Sequence, residues 1–175
     1  SAAAPAAWVF LIIFLVLAGF CAFVAGNVFA SGQADISPFF DWIPYLFLLI
    51  VPALAMPMWA EERRVGVFEL TLSFPASLWE LVIGKYLAGM ILLAVALLLT
   101  FSIPLTAWVL GSPDTGAILC GYAGALLLGS VYLAMSSFCS ALSRSQTASF
   151  LLSVFLCGVF LFIGLPSLLS MASAW

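Results

Sequence analysis

The stretch Glu61–Lys85, EERRVGVFELTLSFPASLWELVIGK, holds seven of the eleven charged residues of a 175-residue chain. The sequence on either side of it is almost unbroken hydrocarbon, so this segment decides how the rest is arranged. Read as a helix, Glu62, Gly66, Glu69 and Ser73 fall on one narrow face, and Val65, Phe68 and Leu72 form an apolar stripe beside it. The pattern predicts a short amphipathic helix over residues 61–74, lying on a membrane surface. Pro75 has no amide hydrogen and disfavours helical backbone at Phe74, so this helix is expected to stop there. Ser77 with Glu80 three residues on reads as a capping box that opens the next helix.

Composition sets the class of the whole chain. It is 66% hydrophobic and 6% charged, with a mean hydropathy of +1.32, whereas soluble domains are about 45–50% apolar. The expected fold is an all-α integral membrane protein, a single transmembrane domain in the lipid bilayer. The net charge of −3 comes from few residues and gives no footprint for nucleic acid. Cys21, Cys120, Cys139 and Cys157 stand singly in apolar runs, with no CxxC pair; they read as small buried hydrophobes, and neither a metal nor a disulfide is expected. The absence of histidine removes the commonest general base and metal ligand, along with any Ser/His or Cys/His pair. No catalytic residue and no cofactor are expected on the chain itself.

A spanning helix needs about 20 apolar residues. Charge-free runs able to supply one lie at 7–29, 43–60, 78–110, 117–139 and 147–165, which predicts five spans. Arg63, Arg64, Lys85 and Arg144 fall on one side of such an up-and-down bundle, and Asp35, Asp41 and Asp114 on the other. The basic side is expected to be cytoplasmic. Trp8, Trp59 and Trp79 then map to cytoplasmic ends of spans and Trp42, Trp108 and Trp175 to outer ends, as interfacial anchors should. The amino terminus is placed in the cytoplasm and the carboxyl terminus outside.

Within the spans, Ala117, Gly121, Ala125 and Gly129 recur every fourth residue and allow close approach of another helix, either inside the chain or in a dimer. Pro44, Pro52 and Pro57 punctuate the second span and Pro104 the third. Around Pro52–Pro57 this implies a kink set by packing, or else a hinge or the lining of a path. No ionisable group lies deep in any span, which argues against a proton relay, a voltage sensor or an ion-coupled carrier. The polar atoms there are hydroxyls, among them Thr100, Ser102, Ser136 and Ser153; a cavity lined by them would suit an amphiphile.

Glu61-Glu62-Arg63-Arg64, Gly66, Glu69-Leu70, Pro75, Ser77 and Gly84-Lys85 together resemble the cytoplasmic link after the second span in permease subunits of ABC-2 transporters. Pro5-Ala6-Ala7-Trp8-Val9-Phe10 is similar to the start of the first span in the gliding-motility branch of that class, whose relatives include permeases linked to copper-enzyme maturation. The family has a Thr or Ser where Val67 stands, begins with a basic elbow helix, and has six spans. The resemblance therefore implies that this chain is part of a longer subunit.

It also implies a bacterial inner-membrane exporter in which the 61–74 helix is a coupling helix, seated on a separate cytoplasmic ATPase through Glu61, Glu62, Arg63, Gly66, Glu69 and Leu70. Pro75 and Ser77 would pass its movement into the third span. ATP and magnesium would be held by the ATPase, since the chain has no GxxxxGK[ST] loop. A second permease subunit, identical or different, would complete the assembly. Two readings from other classes stand beside it. One is a non-transporting membrane scaffold or assembly subunit. The other is an intramembrane enzyme of the Glu-Glu-x-x-x-Arg kind, which the adjacent arginines, Gly66 and the missing histidines disfavour.

Overall fold

The computed structural model describes residues 3–25, 37–66, 77–110 and 114–164. All the elements among them are helices: α1 (Ala3–Phe20), continued by a π-helical turn (Cys21–Ala25), then α2 (Ser37–Ala55), α3 (Pro57–Val65), α4 (Leu78–Leu99), α5 (Ser102–Leu110), α6 (Thr115–Leu142) and α7 (Gln146–Ile163). Four helical stretches are long and apolar enough to cross a membrane: Phe39–Ala60, Trp79–Thr106, Thr115–Leu142 and Gln146–Ile163, and Trp8–Phe23 is a shorter apolar helix. The chain is thus the all-α membrane protein that its composition dictates. Leu98, Val109 and Phe155 are among the large apolar side chains left on the outside. A helix bundle whose outer faces are apolar satisfies its backbone internally and offers hydrocarbon to lipid.

Local chemistry sets the helix starts. Ser77 caps α4 as a true box: Glu80 N–H donates to Ser77 Oγ at 3.4 Å and Ser77 N–H to Glu80 Oε2 at 3.0 Å. Asp114 Oδ1 accepts from Gly116 N–H at 2.9 Å at the head of α6, and Ser145 Oγ from Ala148 N–H at 3.3 Å at the head of α7.

The third run, expected as one helix over 78–110, is divided at Thr100–Phe101. Pro104 has no amide to bond the Thr100 carbonyl and its ring crowds that oxygen. The carbonyl accepts instead from Ile103 N–H at 2.9 Å. Thr100 Oγ1 donates to Leu97 O at 2.6 Å and lies 3.2 Å from Tyr122 Oη, which pins the break to α6.

At the centre is α6, which touches α2, α3, α4 and α7, while α1 lies against α2 and α4. Phe14, Phe39, Phe47, Leu93 and Leu133 fill the space between them. The small-residue stripe is used within the chain. Gly129 faces Leu93 and Phe47, Gly121 lies under the ring of Phe40, and Ala125 is buried, whereas Ala117 is exposed. Glycine at 121 and 129 lets the aromatic ring and the leucine reach the α6 backbone.

Trp8, Trp42, Trp79 and Trp108 are exposed, and Trp59 is buried among the helices; Trp175 lies outside the described residues. The hydroxyls expected to line a cavity have partners of their own. Ser153 Oγ donates to Ser149 O at 2.7 Å and Ser136 Oγ sits 3.9 Å from Cys157 Sγ, both buried between helices, and Ser102 is exposed. A cavity of about 170 Å³ is lined by Phe40, Ile43, Pro44, Gly121, Gly124, Ala125 and Leu128, without a hydroxyl.

Candidate functional site

The charged stretch begins on α3, and the structure mounts that helix with unusual chemistry. Pro57 has no amide and starts a new helix directly after Met56, whose own N–H still bonds Pro52 O at 2.9 Å. In an unbroken helix the amides of Trp59 and Ala60 would bond the carbonyls of Ala55 and Met56. Here both donate to Ser140 Oγ of α6, each at 3.2 Å, and the Ser140 hydroxyl donates to Met56 O at 2.9 Å. Ser140 and Ala60 are fully buried. One side chain from a neighbouring helix therefore caps a helix inside the bundle, where orphaned backbone groups would otherwise be costly. Ser137, one turn earlier, directs its hydroxyl to Leu133 O at 2.7 Å and lies 3.6 Å from Met58 Sδ.

The opposite side of α3 is held by Lys85 of α4. Its ammonium donates to Met58 O at 2.7 Å, pairs with Glu62 Oε2 at 2.6 Å, and stands 3.9 Å above the Trp59 ring. The two side chains of the ion pair are only 19% and 29% exposed, Lys85 the less so. A partly desolvated ion pair whose ammonium also bonds a carbonyl and faces a ring resists separation more than a surface bridge does. Met58 and Glu62 are one helical turn apart, so Lys85 reads one face of α3 at two levels.

At its far end α3 stops at Gly66, which takes a left-handed φ of 74° and donates its N–H to Glu62 O. This is the glycine C-cap that L-residues adopt poorly. It corrects the expectation of one helix through Glu62, Gly66, Glu69 and Ser73. Glu62 belongs to the helix that ends the second span, and the reversal of φ at Gly66 separates it from the residues beyond. Glu61 and Arg63 also lie on α3. Glu69, Leu70 and Pro75 fall outside the described residues, and Ser77 is the α4 cap.

Of the residues singled out from sequence, the structure brings Glu62 and Gly66 to one end of α3. It adds Lys85 and Trp59 as its clamp and Ser140 with Met58 as its seat. The signal for Ser140 was present in the chain. A proline inside an apolar span leaves the carbonyl four residues before it without a donor, and where the helix restarts at the proline its first amides lack acceptors, which a hydroxyl on another span can supply. What sequence could not supply was which hydroxyl.

The ABC-2 family transporter protein model matches residues 31–175. A probable ABC transporter permease protein NosY from Pseudomonas aeruginosa is 31% identical over 140 residues, covering 76% of this chain and 51% of the relative. The chain therefore spans about half the length of that protein. No solved structure matches it.

Proposed function

The chain belongs to the ABC-2 transporter family, and from that premise we propose that it is the membrane permease of an exporter driven by a separate cytoplasmic ATPase. In this reading nucleotide and magnesium reside in the ATPase, and the segment 61–77 is its docking point. A second permease subunit faces the first across the bilayer, and the basic end of the bundle, with the amino terminus, lies in the cytoplasm of a bacterial inner membrane. The assignment stays at the level of the family. The residues that suggest the gliding-motility branch, Pro5–Phe10, precede residue 31, where the family match begins, and the matching relative is a NosY permease.

The observation that supports coupling is the mounting of α3. A short helix leading into the most charged part of the chain is broken from the rest of its span at Met56–Pro57 and is gripped by α4 and α6 through Lys85 and Ser140. Such a mount suits an element that is pushed from outside the membrane and passes displacement inward.

Glu69→Lys tests docking without touching the Glu62–Lys85 pair. Reversing a charge in an interface between complementary surfaces should weaken capture of the ATPase by about tenfold or more. The measurement is co-purification of the ATPase with the tagged permease from membranes. Undiminished capture, with the ATPase rate of the complex unchanged, would remove residues 61–77 as the docking point.

A further inference from the structure

We propose that Lys85 locks α3 to α4, and that Met56–Pro57 is a hinge between this pair and α2, so that displacement of the link drives the third span rather than the second. The inference rests on the proposed function and deepens it by naming the residue that carries the motion.

The bonding on the two sides of α3 is unequal in kind. Toward α2, the usual ladder is depleted. Pro57 brings no donor, and the amides of Trp59 and Ala60 are taken by Ser140, as is the Met56 carbonyl. Met56 N–H still bonds Pro52 O, but a helix junction short of several lengthwise hydrogen bonds bends more easily than an intact one. Ser140 holds the junction as a bearing holds a shaft: its hydroxyl can turn about the Cα–Cβ bond and keep a partner among several closely placed groups.

Toward α4, the contacts oppose both sliding and rotation. Lys85 engages Met58 O, the Trp59 ring and Glu62 Oε2 together. One turn along α4 from Lys85, Gly89 is buried, and a Cβ there would lie 3.1 Å from the Met58 methyl. The absence of a side chain at Gly89 lets Met58 seat directly on the α4 backbone. The charged clamp and the Met58 seat tie α3 to α4, and rigid pieces joined at a soft junction move as hinged units.

The test uses the full permease–ATPase complex in a background without the native cysteines. Spin labels replace two exposed residues, Leu87 on α4 and Phe138 on α6. Their separation is measured with and without ATP trapped in the ATPase. In the otherwise unaltered complex the separation is expected to change with nucleotide. Lys85→Met, which keeps the length and packing of the side chain, should retain the ATPase yet lose that change. Should Lys85→Met yield no folded complex, Lys85→Gln serves in its place, since it keeps a donor for Met58 O and drops the charge.

A nucleotide-dependent change that persists without the Lys85 charge overturns the inference, as does a change absent from the unaltered complex. If the unaltered chain captures no ATPase, the proposed function itself fails and this inference with it. Capture retained by Lys85→Met with the nucleotide-dependent change intact defeats this inference alone and leaves the proposed function standing.

Discussion

Replacing Ser140 by alanine removes one oxygen from the bundle, and the structure sets what that should cost. Three hydrogen bonds end on this hydroxyl: those from the amides of Trp59 and Ala60, and its own to Met56 O. Interhelical side-chain hydrogen bonds in membrane bundles contribute about 0.6 kcal/mol each, which puts the loss near 2 kcal/mol. Two opposing effects bracket this figure. The Ala60 amide and the Met56 carbonyl are natural ladder partners, so α3 can partly repair itself, limiting the loss to about 1 kcal/mol. If packing against Lys85 prevents that relaxation, two buried amides stay unsatisfied and the loss approaches about 4 kcal/mol.

The assay is equilibrium unfolding in mixed micelles with increasing denaturing detergent, alongside hydrogen exchange at Trp59 and Ala60. Ser130→Ala is the control, because that hydroxyl, also on α6, bonds only the Leu127 carbonyl of its own helix, at 2.6 Å. The control is expected to change stability by less than about 0.5 kcal/mol. If Ser140→Ala is equally silent, the hydroxyl does not hold the junction and the mount described for α3 is wrong.

Two further substitutions test the packing and the end of α3. Gly129→Ala places a methyl group against the buried Leu93 side chain and the Phe47 ring, and should destabilise by about 1–3 kcal/mol. Gly124→Ala, on the same helix with nothing within 4 Å, should be neutral or slightly stabilising in the same unfolding assay. Gly66→Ala meets no neighbour, but its φ of 74° should cost about 1 kcal/mol, read as a lower unfolding midpoint, with Gly66→Asn closer to the native value.

Much of the architecture was legible because its causes are local or compositional. A chain this apolar has to bury its backbone polar groups in helices, whatever its neighbours. The Ser77–Glu80 box could be read because both partners sit within one turn, and its geometry depends on nothing distant. The division at Thr100–Phe101 was not legible, although its cause, Pro104, stands in the sequence: a proline says that a ladder bond is missing, not whether the helix will bend or break. The small-residue stripe announced close packing, but only the fold assigned Gly121 to Phe40 and Gly129 to Leu93.

The charged link shows the same division. Sequence alone determined that Glu61–Lys85 is the chemical exception in a hydrocarbon chain and that a proline interrupts the span leading to it. Tertiary structure decided that Glu62 ends one helix instead of starting another, that its partner is Lys85, and that Ser140 supplies the acceptor that Pro57 makes necessary. Helical periodicity places Glu62 and Glu69 on one face only while φ stays negative. The left-handed turn at Gly66 breaks that periodicity at a residue whose identity permits the turn without demanding it. Partners more than twenty or eighty positions apart are joined by how helices pack, and packing depends on the shape of every side chain between them.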